Sequence, residues 1–199
     1  MIDNSRKTDA IQVVKRCKDE AEKFQTYLIK KYTRQIYKDS YKIIKHEIKR
    51  FYFSYYPHMY NRYHDLYNVF KITVDPDKGT FEIEFNYEFM KFDHREENSP
   101  YSFDAVNEYI YNNSFLEGYH GGHRQGENHP NPGVPYYRKY PSFTSWLRPA
   151  EKTISPYKMI EVKINKKIKD IQVEMQNEYD NRMHQYLNRI SSAISKIKK

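Results

Sequence analysis

The sequence predicts an α+β protein in which long N-terminal and C-terminal helices pack on a small antiparallel sheet. Two stretches, 7–53 and 156–199, carry apolar residues mostly at steps of three and four, which is the spacing of an amphipathic helix. Between them, residues 69–86 alternate apolar and polar side chains around a turn sequence, which indicates a β-hairpin. The 199 residues are expected to form one domain spanning 1–199.

The N-terminal stretch 7–53 is predicted to be one long helix, because it contains neither glycine nor proline before Pro57. Such a helix would be roughly 70 Å long, whereas a compact domain of this size has a radius of gyration of only about 16 Å. The helix is therefore expected to bend, break or project, and we expect a break at Ser40, where the apolar stripe loses phase. The stripe consists of Ile11, Val14, Cys17, Ala21, Phe24, Leu28, Tyr32, Ile36, Ile43 and Ile48.

The central region contains the predicted hairpin, a short helix and a long loop. The hairpin turns at 75–79, and its inward face is Phe70, Ile72, Val74, Phe81, Ile83 and Phe85. Ser102 is placed to cap a short helix over 103–113. Residues 117–145 hold five of the six glycines and four of the nine prolines, so they are predicted to form an extended loop that meets a partner.

The C-terminal helix is predicted to begin near Ser155 or Pro156 and to run to residue 199. Its regular spacing predicts a second long amphipathic helix. The apolar stripe consists of Ile164, Ile168, Ile171, Met175, Tyr179, Met183, Leu187, Ile190, Ile194 and Ile197.

Charge is distributed unevenly along the chain, which has a net charge of +8. Residues 7–53 carry 13 basic and 6 acidic side chains, residues 54–156 carry 10 and 14, and residues 157–199 carry 10 and 5. The basic helices could bind nucleic acid, or they could meet the acidic middle of a neighbouring copy. The composition leaves both alternatives open.

The candidate chemical groups point to no catalytic activity, so we expect a protein that is not an enzyme and has no cofactor. His120 and His123 have a spacing that can hold a metal, but no recognised ligand set completes it, and no metal site is expected. Cys17 lies on the apolar stripe of the first helix and is interpreted as a core residue. No stretch approaches the roughly 20 apolar residues of a membrane span, so no membrane partner is expected.

Three short motifs occur in order along the chain: a YxRxxxL pattern at 60–66 after the long N-terminal helix, a Glu-Gly segment at 117–120, and an Arg-Pro-Ala sequence at 148–150 before the C-terminal helix. Together they resemble the motifs of the small head–tail joining and tail-completion proteins of tailed bacteriophages, also described as neck or minor tail components. The residues carried over as candidate interaction sites are Tyr60, Arg62, Leu66, Gly118, His120 and Arg148.

The resemblance implies a structural protein of the virion that is made in the host cytoplasm. It implies a ring of identical subunits, a homo-oligomer that joins head and tail, with neighbouring phage head, neck and tail proteins as partners. DNA in the channel would be contacted without sequence specificity. The alternative is a nucleic-acid-binding protein that uses its basic helices.

Overall fold

The computed structural model describes residues 4–53, 65–91, 102–120 and 151–197. Helix α1 spans Asn4–Phe53, strands β1 and β2 span Phe70–Asp75 and Thr80–Phe85, and helix α2 spans Phe103–Ile110. Strands β3 (Tyr119–His120) and β4 (Glu151–Lys152) precede helix α3, which spans Pro156–Ile197. Short 3₁₀ turns at Asp65–Asn68 and Tyr87–Phe89 and a π-helical turn at Tyr111–Leu116 complete the described elements.

The two long helices pack together and on a two-stranded antiparallel sheet, which confirms the predicted α+β fold. The described residues divide into two compact units, and each unit contains part of α1, part of the hairpin and part of α3. The first unit comprises the described residues within 1–38, 74–81 and 166–199, and the second comprises those within 39–73 and 82–165. The single-domain organisation stays a prediction.

The expected break at Ser40 is wrong. Helix α1 continues through this position, and Ser40 lies buried within it. A serine inside a helix costs only a few tenths of a kcal/mol relative to alanine, and no glycine or proline lies nearby to interrupt the backbone hydrogen bonds. The loss of phase in the apolar stripe therefore marks a position beyond which a different set of side chains is buried. The helix itself does not end there.

The first unit is built on an antiparallel pairing of α1 and α3. Contacts join Glu20 to Arg189, Lys31 to Glu178 and Gln35 to Glu174, so residue numbers rise on one helix as they fall on the other. The centre of the unit is a cluster of three buried and four half-buried side chains, and each fully buried aliphatic among them contributes roughly 1.5–3 kcal/mol. The cluster consists of Leu28, Tyr32, Ile171, Phe24, Ile36, Met175 and Tyr179.

The tip of the predicted hairpin belongs to this first unit. The Asp75 carboxylate accepts hydrogen bonds from the backbone N–H groups of Asp77 and Lys78 at 3.1 and 3.2 Å, which closes the turn. Gly79 has a φ of 69° and lies against Ile29 of α1. Lys30 forms an ion pair with Asp77 at 2.6 Å, and this contact lowers the pKa of the Asp77 carboxyl.

The second unit holds the base of the hairpin, helix α2 and the beginning of α3. The alternating face of the hairpin is half-buried and packs on aromatic side chains, because Phe70 lies 5.9 Å from Tyr41 and Phe85 lies 5.7 Å from Tyr157 between ring centroids. Ser102 caps α2 as expected, accepting a hydrogen bond from the backbone N–H of Ala105 at 3.1 Å.

Helix α3 begins at Pro156, as the sequence predicts. Ser155 lies immediately before it, and its hydroxyl accepts a hydrogen bond from the backbone N–H of Lys158 at 3.1 Å. The predicted loop over 117–145 does not begin as a loop, since Tyr119 pairs with Lys152 and His120 pairs with Glu151 in an antiparallel ladder. Residues 121–150, which include the rest of that loop, lie outside the described residues.

Candidate interaction sites

Gly118 is a candidate residue whose backbone environment leaves no room for a side chain. Its φ is 82°, and a Cβ atom at this position would lie 2.6 Å from the carbonyl oxygen of Thr153 and 2.8 Å from the backbone nitrogen of Ser155. The Thr153 N–H donates to the Gly118 carbonyl at 2.9 Å. Only glycine combines this backbone angle with this close approach, so Gly118 joins the end of the π-helical turn to the entry of α3.

An aromatic cluster stands next to this junction. Phe115 is fully buried, and its ring centroid lies 5.3 Å from Phe85, 5.5 Å from Tyr111 and 5.9 Å from Tyr157. Ser155 donates its hydroxyl proton to the Phe115 carbonyl at 3.2 Å. Burial raises the pKa of the Tyr111 hydroxyl, which donates to the Phe85 carbonyl at 3.3 Å. Aromatic rings therefore fill this part of the second unit.

Leu66 is held in the interior by contacts on both sides of it. Its side chain is 2% exposed, and its backbone N–H donates to the Tyr52 hydroxyl at 3.0 Å. Lys45 of α1 donates to the Tyr67 carbonyl at 2.7 Å, and its ammonium lies 5.2 Å from the ring centroid of Phe70. Burial lowers the pKa of Lys45. Leu66 therefore anchors the chain ahead of β1, and a role for it at an interface stays a prediction.

Glu47 is a buried carboxylate on α1 that sequence reasoning did not single out. Its side chain is fully buried, and the Lys163 ammonium of α3 donates to Oε1 at 2.5 Å. Arg50 places a guanidinium nitrogen 2.8 Å from Oε2, but the direction does not suit a hydrogen bond, so this contact is electrostatic. Position 47 falls on the apolar side of the first helix, next to Ile48. An acidic residue at such a position is the only sequence signal for the pairing of Glu47 with Lys163.

Asn107 of α2 is a second buried polar residue that sequence reasoning missed. It is 1% exposed, and its amide nitrogen and oxygen have no hydrogen-bond partner among the residues that the structure describes. Leaving a buried amide without partners costs roughly 1–3 kcal/mol.

Among the remaining candidate residues, the structure describes His120. Tyr60, Arg62 and Arg148 lie outside the described residues, as does His123. The backbone of His120 forms part of β3. Within the described ranges, no group of three or more His, Cys, Asp or Glu side chains is arranged to hold a metal ion.

No helix in the described part of the chain is both long enough and apolar enough to cross a membrane. Comparison with known proteins finds no matching family model, no matching curated protein and no matching solved structure.

Proposed function

We propose that this chain is a structural virion protein of a tailed bacteriophage, a ring subunit of the neck or tail-completion region that joins head and tail. The observation that supports self-assembly most directly is the apolar surface left uncovered on both long helices. Ile11 and Leu187 are 62% and 59% exposed, although both belong to the stripes that predict amphipathic helices. Apolar surface that one subunit leaves exposed and aligned is typical of protein interfaces.

The polar contacts of the described residues also favour a structural role. Glu47 is neutralised by Lys163, and Glu178 accepts hydrogen bonds from Lys31 and Tyr32. These groups join elements of the fold to one another, as the hydrogen-bonded buried groups of structural proteins do. The proposal accordingly assigns the chain no catalysis and no cofactor.

The charge distribution supports contacts between identical subunits. Residues 7–53 and 157–199 are net basic and residues 54–156 are net acidic, so the ends of one copy can attract the middle of the next. A ring requires such a contact between two different surfaces, repeated until it closes. Exposed charge pairs are screened by salt, so this assembly should weaken as the ionic strength rises.

The proposed partners are further copies of the chain and the neighbouring head, neck and tail proteins of the phage. DNA that passes through the ring would meet basic side chains that contact phosphates and read no bases. Several basic residues, among them Lys30, Lys31, Lys163 and Arg189, already form ion pairs within the fold. Because their charge is partly neutralised within the fold, these residues should contribute less to a DNA contact than unpaired basic residues would.

The test is the mass of the native protein, measured by light scattering at low and high salt, together with mass spectrometry of purified virions. We expect a closed oligomer at low salt, partial dissociation at high salt, and the chain among the virion proteins. A stable monomer that is absent from virions contradicts the proposal. Tight, sequence-specific DNA binding by such a monomer would favour the nucleic-acid-binding alternative.

A further inference from the structure

One side of α1 carries only basic and tyrosine side chains between residues 23 and 38. Seven residues of this stretch fall within a sector of about 120° around the helix, since each residue turns by about 100° from the one before it. All seven are lysine, arginine or tyrosine, and each side chain ends in a hydrogen-bond donor. The sector, here called the basic face, consists of Lys23, Tyr27, Lys30, Lys31, Arg34, Tyr37 and Lys38.

Two ion pairs lie at the edges of the basic face and show which elements flank it. Towards one edge Lys30 contacts Asp77 of the hairpin tip at 2.6 Å. At the other edge the Lys31 ammonium lies 2.5 Å from the Glu178 carboxylate of α3. The basic face therefore lies between the hairpin tip and α3, on the part of α1 that packs against neither of them.

The centre of the basic face is exposed, and its cations are not neutralised by direct contacts. Lys23, Arg34 and Lys38 are exposed, and none of them forms an ion pair with a residue that the structure describes. Tyr27 lies among them with 54% of its surface exposed, and its ring stacks on Phe24 at 6.1 Å between centroids. The centre thus presents three cations and one phenol to solvent.

The basic face keeps a positive net charge after the ion pairs at its edges are counted. Residues 23–38 contain five basic side chains and no acidic one. The carboxylates of Asp77 and Glu178 neutralise two of the five, which leaves a charge of +3 on about four turns of helix.

Other carboxylates of the first unit stand around the rim of the basic face. Three of them bind a neighbour within the fold, in the pairs Glu20–Arg189, Glu174–Gln35 and Asp75–Lys78. Two more stand beyond the ends of the face: Asp19 precedes it by one turn, and the antiparallel pairing places Asp170 just past Lys38. These carboxylates weaken the positive potential at the rim and leave the centre positive.

The composition of the basic face fits a nucleic acid better than a protein partner. The cores of protein–protein interfaces are depleted of charged residues, and none of the seven residues of this face is aliphatic. Protein–DNA interfaces are more polar and much more positively charged. Lysine, arginine and tyrosine side chains all donate hydrogen bonds to phosphate oxygens.

We infer that the basic face binds the phosphate backbone of duplex DNA, with Lys23, Arg34 and Lys38 on phosphates and Tyr27 as a further donor. The inference rests on the proposed function, because it takes the DNA to be the duplex that a ring in the phage neck surrounds. The face is about 22 Å long, and a duplex carries one phosphate charge per about 1.7 Å of its axis. Each of the three cations therefore has a phosphate of its own within this length.

The small size of the face sets the strength that we expect. One copy contacts only a few phosphates, and non-specific binding of this kind has a Kd of about 10⁻⁴–10⁻⁶ M at physiological salt. A closed ring presents one basic face on each subunit, and binding by one subunit raises the effective concentration for the next. Phosphate contacts carry no sequence information, so duplexes of different sequence should bind equally well.

The experiment measures the binding of labelled DNA duplexes to the full chain by fluorescence anisotropy over a range of salt concentrations. The test variant combines Lys23→Gln, Arg34→Gln and Lys38→Gln. The matched control combines Lys7→Gln, Lys15→Gln and Lys18→Gln. These three lysines are also exposed on α1 and remove the same charge, but they lie on the opposite side of the helix.

The salt dependence gives the expected size of the effect. Each phosphate contact contributes about 0.9 to the slope of log affinity against log salt concentration, which is a factor of about eight between 1 M and 0.1 M salt. We expect the test variant to lower this slope by about 2 to 3 and the affinity near 0.1 M salt by at least about tenfold. The control should keep the affinity within about threefold of that of the unaltered protein.

Circular dichroism and light scattering show whether the variants keep their helix content and assembled mass. If the triple variant loses helix, Arg34→Gln compared with Lys15→Gln provides the same test, with an expected change in slope of about 0.9. An unchanged affinity in a folded test variant overturns the inference and leaves the proposed ring standing. An equal loss of affinity in the control also overturns it, because net charge alone would then explain the effect.

Two further outcomes separate the inference from the proposed function. A folded test variant that loses assembled mass would assign the basic face to the contact between copies and overturn its assignment to DNA. A monomeric unaltered protein whose DNA affinity falls in the test variant and not in the control would contradict the ring and support the basic face. A strong preference for one of two duplexes of different sequence would overturn binding through the backbone alone.

Discussion

Replacing Gly118 with alanine should destabilise the protein more than the same replacement at Gly79, the other glycine within the described residues. The added Cβ would lie 2.6 Å from the Thr153 carbonyl oxygen, 2.8 Å from the Ser155 nitrogen and 3.0 Å from the Ile154 carbonyl carbon. All three are backbone atoms, so none can rotate away. The matched control is Gly79→Ala, whose Cβ would lie 2.7 Å from a side-chain atom, the Cγ2 methyl of Ile29.

The magnitude follows from two contributions. Both glycines have a positive φ, 82° at Gly118 and 69° at Gly79, and an L-residue in that region costs about 1–2 kcal/mol. At Gly118 the backbone must also shift, which weakens the hydrogen bonds from Thr153 and from Ser155 to this segment. Each is worth about 0.5–1.5 kcal/mol. We expect a loss of about 2–4 kcal/mol for Gly118→Ala and about 1–2 kcal/mol for Gly79→Ala.

The assay is urea unfolding followed by far-ultraviolet circular dichroism, with the free energy of unfolding taken from the transition. Gly118→Ala should shift the midpoint further than Gly79→Ala. The transition should be checked for a second step, which would indicate that the two units unfold separately. Equal midpoints for the two variants would refute the reasoning, since they would mean that the backbone around Thr153 relaxes without loss.

Two further predictions concern ion pairs. Lys163→Met should lower the free energy of unfolding by about 1–3 kcal/mol, because it leaves the buried Glu47 carboxylate without its hydrogen-bond donor, and urea unfolding measures the loss. The second concerns acid: hydrogen bonds from Lys31 and Tyr32 lower the pKa of Glu178. The stability that this carboxylate contributes is present above its unfolded pKa of about 4.3 and is lost as the pH falls through its folded value. Glu178→Gln should therefore reduce the amount by which the free energy of unfolding falls between neutral and acid pH. Urea midpoints measured across that pH range provide the test.

Each of these predictions has its own control. For the buried pair, the double variant Glu47→Gln with Lys163→Met should recover part of the loss, because it removes the uncompensated charge; no recovery would mean that Lys163 acts through packing. For the acid effect, Glu174→Gln removes a carboxylate one turn away that accepts a 3.3 Å hydrogen bond from Gln35. If this change flattens the profile as much as Glu178→Gln does, the assignment to Glu178 is wrong.

The hairpin illustrates what local sequence predicts well. Its alternation, its Asx turn and its glycine act within a few residues of one another, so they specify the strands whatever surrounds them. The structure places β1 and β2 within the predicted 69–86. The caps at Ser102 and Ser155 are local in the same way, since each hydroxyl binds a backbone N–H three residues later.

Other features depend on residues far apart in the chain and could not be predicted. Glu47 and Lys163 are 116 positions apart, and the sequence contains many lysines that could have been the partner. The pairing of β3 with β4 joins His120 to Glu151 across a long intervening segment. Two residues per strand are too few to leave a periodic signal.

The apolar stripe of α3 shows most clearly the difference between what the sequence determines and what the tertiary structure determines. By itself the sequence determined that a long helix exists and which of its residues are apolar, because helix period and hydrophobicity are local properties. Only the tertiary structure decided that Ile171 is buried against α1 while Leu187 stays exposed. The reason is geometric: within the first unit α1 contacts one side of α3, and a stripe that advances by repeated steps of four rotates off that side.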